Sequence, residues 1–327
     1  IGLQNITVAM LFSNNVTDLN TFVGYKKNAA AVMVAWNRIQ REGLMPDVTG
    51  IEFNLSFEWV IDDCSDAIAT KAIVDFKLAG ADVILGPACS SPAIFGGITA
   101  AYLDFPLVLW GPPYSSEIDN LQKYPTVMST SVSAQPRATS LLAILRKFGW
   151  TDVAFLYTLE RNPLVARCSY AYDAFVATTQ TVDNINVVFS RKIINYDIET
   201  IRLRLRQASA VSRVMIVCFE SATTRRNFLL AAYEEGMNTD DYLFIFLEEQ
   251  ATAFKTYSLT TGLNPMWIDS LSNSDGRSSQ ALSVARKSLV IDLQPYNDTG
   301  PFVRDVTDAF RLPPFNCDDC TDIEAVI

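Results

Sequence analysis

Short apolar runs alternate along most of the chain with segments whose apolar positions recur every three or four residues, the signatures of buried strands and of helices. Residues 6–12 begin the series as a strand. Ala29, Val32, Met33, Trp36 and Ile39 follow at helical spacing up to Gly43, where a helix stops most easily. Residues 54–60 alternate as a strand. Asp66 then stands as the cap of a helix whose Ala69, Ala72, Ile73 and Phe76 form one stripe before Gly80. Residues 83–85 predict a short buried strand leading into Gly86-Pro87-Ala88-Cys89-Ser90-Ser91-Pro92. There Ser91 reads as an N-cap with Pro92 in the first helical position. Residues 106–110 predict the next strand.

The rhythm begins again after Ser133. Leu141, Leu142, Leu145 and Phe148 share a helical face closed by Gly149. Strands follow at 153–157, 185–189, 214–219 and 242–247, with helices near 170–179, 198–208 and 223–235. Residues 201–206 read I-R-L-R-L-R and alternate like a strand. Ile198, Ile201, Leu205 and Ala208 also lie at helical spacing, and the order of elements asks for a crossover helix there. Its three arginines read as a solvated face. After Gln250 the pattern weakens. Residues 288–293 predict a strand and 302–310 a helix, while 262–276 and 312–319 read as loops. Two successive strand–helix series predict an α/β protein of two lobes, each a parallel sheet flanked by helices. The predicted organisation is a first lobe at 1–133, a second at 134–255, and 256–327 as an extension of the second lobe with an incomplete return toward the first. Ligands of such sheets bind beyond the carboxyl ends of the strands. That rule nominates a cleft between lobes, with Ser90, Ser91, Trp110, Tyr114, Ser129 and Ser131 as its candidate lining.

Composition narrows the chemistry. The 327 residues are 49% apolar and 19% charged, enough to bury a sizeable core. The net charge of −10 argues against a nucleic-acid partner. Histidine is absent, which removes Ser-His-Asp and Cys-His nucleophilic chemistry and HExxH zinc sites. Neither a dinucleotide-binding glycine pattern nor a phosphate loop occurs, and no cofactor is predicted. The doublets Asp62-Asp63 and Asp240-Asp241 read as exposed loop charge rather than acid/base pairs. A secreted glycosidase would need two carboxylates about 5–9.5 Å apart in a cleft. No apolar run approaches the length of a membrane span.

Six cysteines stand at 64, 89, 168, 218, 317 and 320, as buried free thiols or as disulfides whose pairing stays open. The triplets beginning at Asn5, Asn15, Asn54 and Asn297 fit the glycosylation sequon and, with even cysteines, favour an extracellular chain. Cys317-x-x-Cys320 has the spacing of a redox pair or half a zinc site. A structural disulfide, within the pair or to a neighbouring chain, suits it better, because nothing here completes a zinc tetrad. The 86–92 turn and helix start expose backbone N–H groups that favour anions, or serve as ordinary capping.

The stretch from Ile6 to Phe310 resembles the extracellular ligand-binding region of receptor guanylate cyclases and natriuretic-peptide receptors, most of all the nematode sensory set. Residues 29–44 (A-A-A-V-M-V-A-W-N-R-I-Q-R-E-G-L) are similar to that family's first helix. Asp63-Cys64-Ser65-Asp66 and the run 83–89 (V-I-L-G-P-A-C) resemble its first cysteine pair around the Gly-Pro turn. Tyr124-Pro125-Thr126-Val127 and the run 148–154 (F-G-W-T-D-V-A) look like its crossover into the second lobe. The resemblance implies a type I periplasmic-binding-protein clamshell with disulfides Cys64–Cys89 and Cys168–Cys218. Loops of those sizes stabilise by roughly 3.5 and 4 kcal/mol in the chain-entropy picture.

It further implies a glycosylated sensor at the extracellular face of the plasma membrane, binding a small-molecule or peptide ligand. The sensor pairs as a homodimer through first lobes, and its parent is anchored in the membrane outside this chain. The chain itself performs no reaction, and the parent makes cGMP from GTP. Natriuretic receptors hold chloride beside the first disulfide through a serine hydroxyl and the backbone of a Gly-Cys step. Here the step is Ala88-Cys89, and residues 57–61 offer no serine. Against the family pattern, the chain stops before the elements that return to complete the first lobe. The alternatives are the same clamshell in an amino-acid-sensing seven-helix receptor, with Ser91 and backbone N–H groups holding a zwitterion, or a secreted decoy.

Overall fold

The computed structural model describes residues 3–14, 23–44, 52–111, 115–158, 166–181, 184–248, 252–258, 262–269, 274–294 and 300–320. The chain divides into two compact units. One comprises Ile1–Val132 with Tyr296–Ile327 and the other Ser133–Pro295. The second unit therefore runs some way past residue 255, because the segments beyond it pack on its own sheet.

The first unit is built on strands β1 (Leu3–Phe12), β2 (Glu52–Ile61), β3 (Val83–Leu85), β4 (Leu107–Leu109) and β5 (Val127–Ser129). They lie in the order β2-β1-β3-β4-β5, every pair parallel. Helices α1 (Ala31–Glu42), α2 (Asp66–Ala79), α3 (Ser90–Tyr102) and the late α9 (Gly300–Phe310) cover it. Period-two alternation on β1 explains the two layers. Ala9 and Leu11 pack with Ala69, Ile73 and Ala93 of α2 and α3. Val8, Met10 and Phe12 pack instead with Val303, Val306 and Phe310 of α9, together with residues of α1.

The second unit repeats the plan. Strands β6 (Asp152–Thr158), β7 (Asn186–Ile193), β8 (Val214–Cys218), β9 (Leu243–Leu247) and β12 (Ser288–Ile291) lie in the parallel order β12-β9-β8-β6-β7. Leu141, Leu142 and Leu145 of α4 (Ala134–Phe148) and Phe175 of α5 (Arg167–Thr179) bury one face. The other face is covered by α6 (Ile198–Ser209), α7 (Ala222–Glu234) and α8 (Ser278–Ala285), which bring Leu205, Phe228 and Val284. Every residue of β8 is buried, as a central strand covered on both faces requires.

Several local readings change. The cap of α2 is Ser65, whose side chain accepts from the Ile68 N–H, and Asp66 is in the first turn. Cys89, not Ser91, precedes α3, which begins at Ser90. Phe148 leaves the buried face of α4 and stacks on Trp150, their ring centroids 4.7 Å apart. Within 262–276, read as loop, β11 (Gly262–Pro265) pairs antiparallel with β10 (Lys255–Ser258). The arginine-rich 201–206 segment is helical. Arg202 and Arg206 both bond Glu235, and Arg204 bonds Gln207. Among the described residues no helix is long and apolar enough to cross a membrane.

Candidate functional site

In the first unit the carboxyl ends of β1, β3 and β4 meet backbone to backbone. Gly86 follows β3 with φ +107°, and a Cβ there would lie 2.8 Å from the Leu11 carbonyl oxygen and 3.3 Å from Trp110 Nε1. Gly111 approaches closer still, since its Cβ would stand 2.1 Å from the carbonyl oxygen of Ala88. The Gly86–Pro87 peptide is cis. A Cys64–Cys89 disulfide, Cα atoms 5.5 Å apart, ties the segment after β2 to the start of α3.

The predicted cleft residues fall around this junction and along β5. Ser90 is buried at the start of α3. Ser91 is engaged, its Oγ donating to Asp66 Oδ2 at 2.9 Å. Trp110 is half-buried, its ring 5.5 Å from that of Phe12. Ser129 ends β5, and its Oγ donates to the Ser131 carbonyl at 2.7 Å. Ala88 and Cys89 are buried. Tyr114 lies outside the described residues.

Asp62 overturns the reading of its doublet as exposed charge. It is only 2% exposed, and one carboxylate oxygen accepts from the Cys64 N–H at 3.4 Å. Burial, with the charge of Asp63 adding to it, pushes its carboxyl up to about 7. Asp240 is a surface residue paired with Lys287.

The second unit carries a charged cluster that sequence reasoning missed. Thr158 ends β6, Glu220 follows β8, Glu248 follows β9 and Asp292 follows β12, so one polar row lines the carboxyl edge of the sheet. Arg137 of α4, Arg167 at the start of α5 and Arg225 of α7 converge on it. Arg225 is 2% exposed and Glu248 1%, with Arg225 Nη2 2.7 Å from Glu248 Oε2. Arg225 Nε also donates to the Phe219 carbonyl at 3.0 Å. The Glu220 N–H donates to Thr158 Oγ1 at 3.4 Å, and its Oε1 accepts from the Cys168 N–H at 3.5 Å. The Cys168–Cys218 disulfide pins that corner. Asp292 accepts from the Ala253 N–H at 2.7 Å. Burial works against the charge on Glu248 and raises its carboxyl even though Arg225, Arg167 and Arg137 favour ionisation. Burial, then the neighbouring Arg167, brings the Arg137 guanidinium down to about 9. The available signal was a carboxylate placed directly after an uninterrupted apolar strand, in V-M-I-V-C-F-E and L-F-I-F-L-E.

Cys317 and Cys320 bond each other beside α9, with Lys26 paired to the intervening Asp319. Asn5 and Asn54 are exposed and directly opposite on β1 and β2, with the hydroxyls of Thr7 and Ser56 bonded at 3.0 Å. Asn15 and Asn297 lie outside the described residues.

Comparison with known proteins places these edges in a family. Residues 27–316 match the model described as the receptor family ligand binding region. Receptor-type guanylate cyclase gcy-13 of Caenorhabditis elegans is 29% identical over 312 residues, 92% of this chain and 29% of the relative. Gcy-6 of the same organism is 25% identical over 94% of the chain, and gcy-4 of Caenorhabditis briggsae is 28% identical over 96%. This chain spans under a third of the length of each. With two parallel five-stranded sheets flanked by helices and a match across most of its length, the chain belongs to the receptor family ligand binding region, a periplasmic-binding-protein-like fold.

Proposed function

We propose that this chain is the extracellular sensor of a single-pass receptor guanylate cyclase, coupling ligand binding or dimer rearrangement to cytoplasmic cGMP synthesis by segments outside it. The family match over residues 27–316 carries the reading. Three disulfides and the sequons at Asn5, Asn15, Asn54 and Asn297 suit an oxidising, glycosylating route to the cell surface. The carboxyl edges of both sheets are where a parallel sheet takes a small-molecule or peptide ligand. The chain itself catalyses nothing, uses no cofactor and contacts no nucleic acid.

The sensor works as a homodimer through its first unit. On the solvent side of α3, Phe95, Ile98 and Tyr102 recur at i, i+3 and i+7, and α2 adds Ile68 and Leu78. Such a stripe suits a two-fold contact with a second copy. Coupling follows when the stimulus favours one of two dimer arrangements over the other.

The test replaces the matching region of gcy-13 with this chain and reads cGMP in cells. Re-clamping the extracellular dimer with a bivalent antibody, against its monovalent fragment, should shift cGMP by about fivefold. A chimera that reaches the surface and gives the same cGMP under both sinks the coupling.

A further inference from the structure

Two of the chain's four sequons meet in space. Strand β1 carries Asn5-Ile6-Thr7 and β2 carries Asn54-Leu55-Ser56. Their parallel register sets Asn5 opposite Asn54 and Thr7 opposite Ser56. Period-two alternation turns all four side chains to one face of the sheet. Farther along that face Ala9 and Leu11 are buried under α2 and α3. Toward the start of the strands the cover ends, and Asn5 and Asn54 are both exposed. The Asn54 amide donates to Asn5 Oδ1 at 3.4 Å, and the Thr7 and Ser56 hydroxyls bond at 3.0 Å.

From this juxtaposition, and resting on the reading of the chain as extracellular, we infer that Asn5 and Asn54 form one modification site: a folded molecule carries a single N-linked glycan on the pair, at one asparagine or the other. The donor is an oligosaccharide carried on a lipid diphosphate. The asparagine amide nitrogen displaces the diphosphate from the anomeric carbon. A C–N bond forms, the C–O bond breaks, and the amide gives up one of its two protons. The sequon hydroxyls that this transfer requires are bonded to each other in the sheet, so it belongs to the unfolded strands. Folding then selects among the products. Neighbouring strands stand about 4.8 Å apart, and two branched sugars rooted on facing amides at that spacing collide. With one glycan the contact between the amides survives, because a substituted amide keeps one N–H and its carbonyl oxygen. With two, β1 and β2 must part at this end, and the chain is retained rather than exported. Strand β2 also ends its sheet, where a bulky hydrophilic group discourages pairing with another chain.

The test secretes the 327-residue chain from animal cells and releases its glycans enzymatically in heavy-oxygen water. Each formerly modified asparagine is thereby marked by mass, and peptide masses give the fraction occupied at every sequon. In the secreted wild type the fractions at Asn5 and Asn54 should add up to one glycan per molecule. Ser56→Thr keeps the hydroxyl and strengthens the second sequon, since the transferase favours threonine over serine. It should raise occupancy at Asn54 and lower it at Asn5 in step, whereas independent sites leave Asn5 unchanged. Asn5→Gln and Asn54→Gln should each be secreted with the glycan on the remaining asparagine. A sum clearly above or below one glycan, or an Asn5 occupancy that holds while Asn54 rises, overturns the assignment. If Ser56→Thr is not secreted or does not raise Asn54, the wild-type sum decides. Glycans at Asn15 or Asn297 with none on the pair overturn this site and leave the extracellular reading standing. An antibody-responsive chimera with two glycans on the pair likewise removes only this site. A silent chimera with one glycan there removes only the cyclase coupling.

Discussion

Asp62 follows the last residue of β2, two residues before Cys64, and is buried, so its charge is costly in the folded chain and not in the unfolded one. With the folded carboxyl pushed up to about 7 and the unfolded one near about 4, the folded state holds the extra proton between those values. Stability is then full below about pH 4 and falls as pH rises through about 7. Asp62→Asn keeps the acceptor for the Cys64 N–H and removes the charge. It should raise the unfolding free energy at pH 8 by about 1–4 kcal/mol and flatten the decline between pH 4 and 7. Denaturant titrations at several pH values read both, and an unchanged slope refutes the assignment. Gly111→Ala should cost about 3 kcal/mol or more, because backbone stands where the methyl group would go. A loss within about 0.5 kcal/mol in the same titration would contradict that packing. Residues with a local signature were legible in the sequence: Gly43, Gly80 and Gly149 end helices in the left-handed conformation. Asp62 and Glu248 were not, because their burial is decided by loops and helices distant in sequence.

The elements with a clear burial pattern were read to within a few residues, among them β8, buried throughout, and α2, buried along one stripe. Those missed have little burial to read. Strand β5 is three residues long with Met128 and Ser129 exposed, and the β10–β11 hairpin carries no apolar alternation. Two of the disulfides act at this scale, Cys64–Cys89 and Cys168–Cys218, each joining segments near strand ends. Cys168–Cys218 links the first turn of α5 to the end of β8 across 50 residues. Replacing both cysteines by serine should lower the unfolding free energy by about 4 kcal/mol. The same change should loosen the corner where the Cys168 N–H holds Glu220. Non-reducing guanidinium titration measures the first effect. Hydrogen exchange at the start of α5 measures the second, and unchanged protection there would mean that packing alone holds the corner.

At the scale of the whole molecule, the two units differ in what they show to solvent. In the second, the exposed large apolar side chains among the described residues are dispersed: Phe148 stacks on Trp150, while Val188, Leu203 and Leu289 sit on separate elements. In the first, Phe95, Ile98 and Tyr102 line one helix, Tyr102 at 89% exposure, flanked on α2 by Ile68 and Leu78 with the Lys71–Asp75 ion pair between them. None of these outer side chains supports the core that Ala69, Ile73 and Ala93 build underneath, so the stripe can be altered without unfolding the unit. A chain with net charge −10 repels its copies at long range, which makes a specific apolar contact necessary if the unit is to pair. Sedimentation at micromolar concentration should therefore find a dimer for the wild type and a monomer for Phe95→Glu/Tyr102→Glu, with the melting of the second unit unchanged. Because a two-fold contact places each substitution in the interface twice, even one glutamate should shift the equilibrium by about two orders of magnitude. A wild-type monomer, or a dimer that survives both glutamates, would remove the α2–α3 face from the mechanism and leave signalling to a ligand acting on each copy separately.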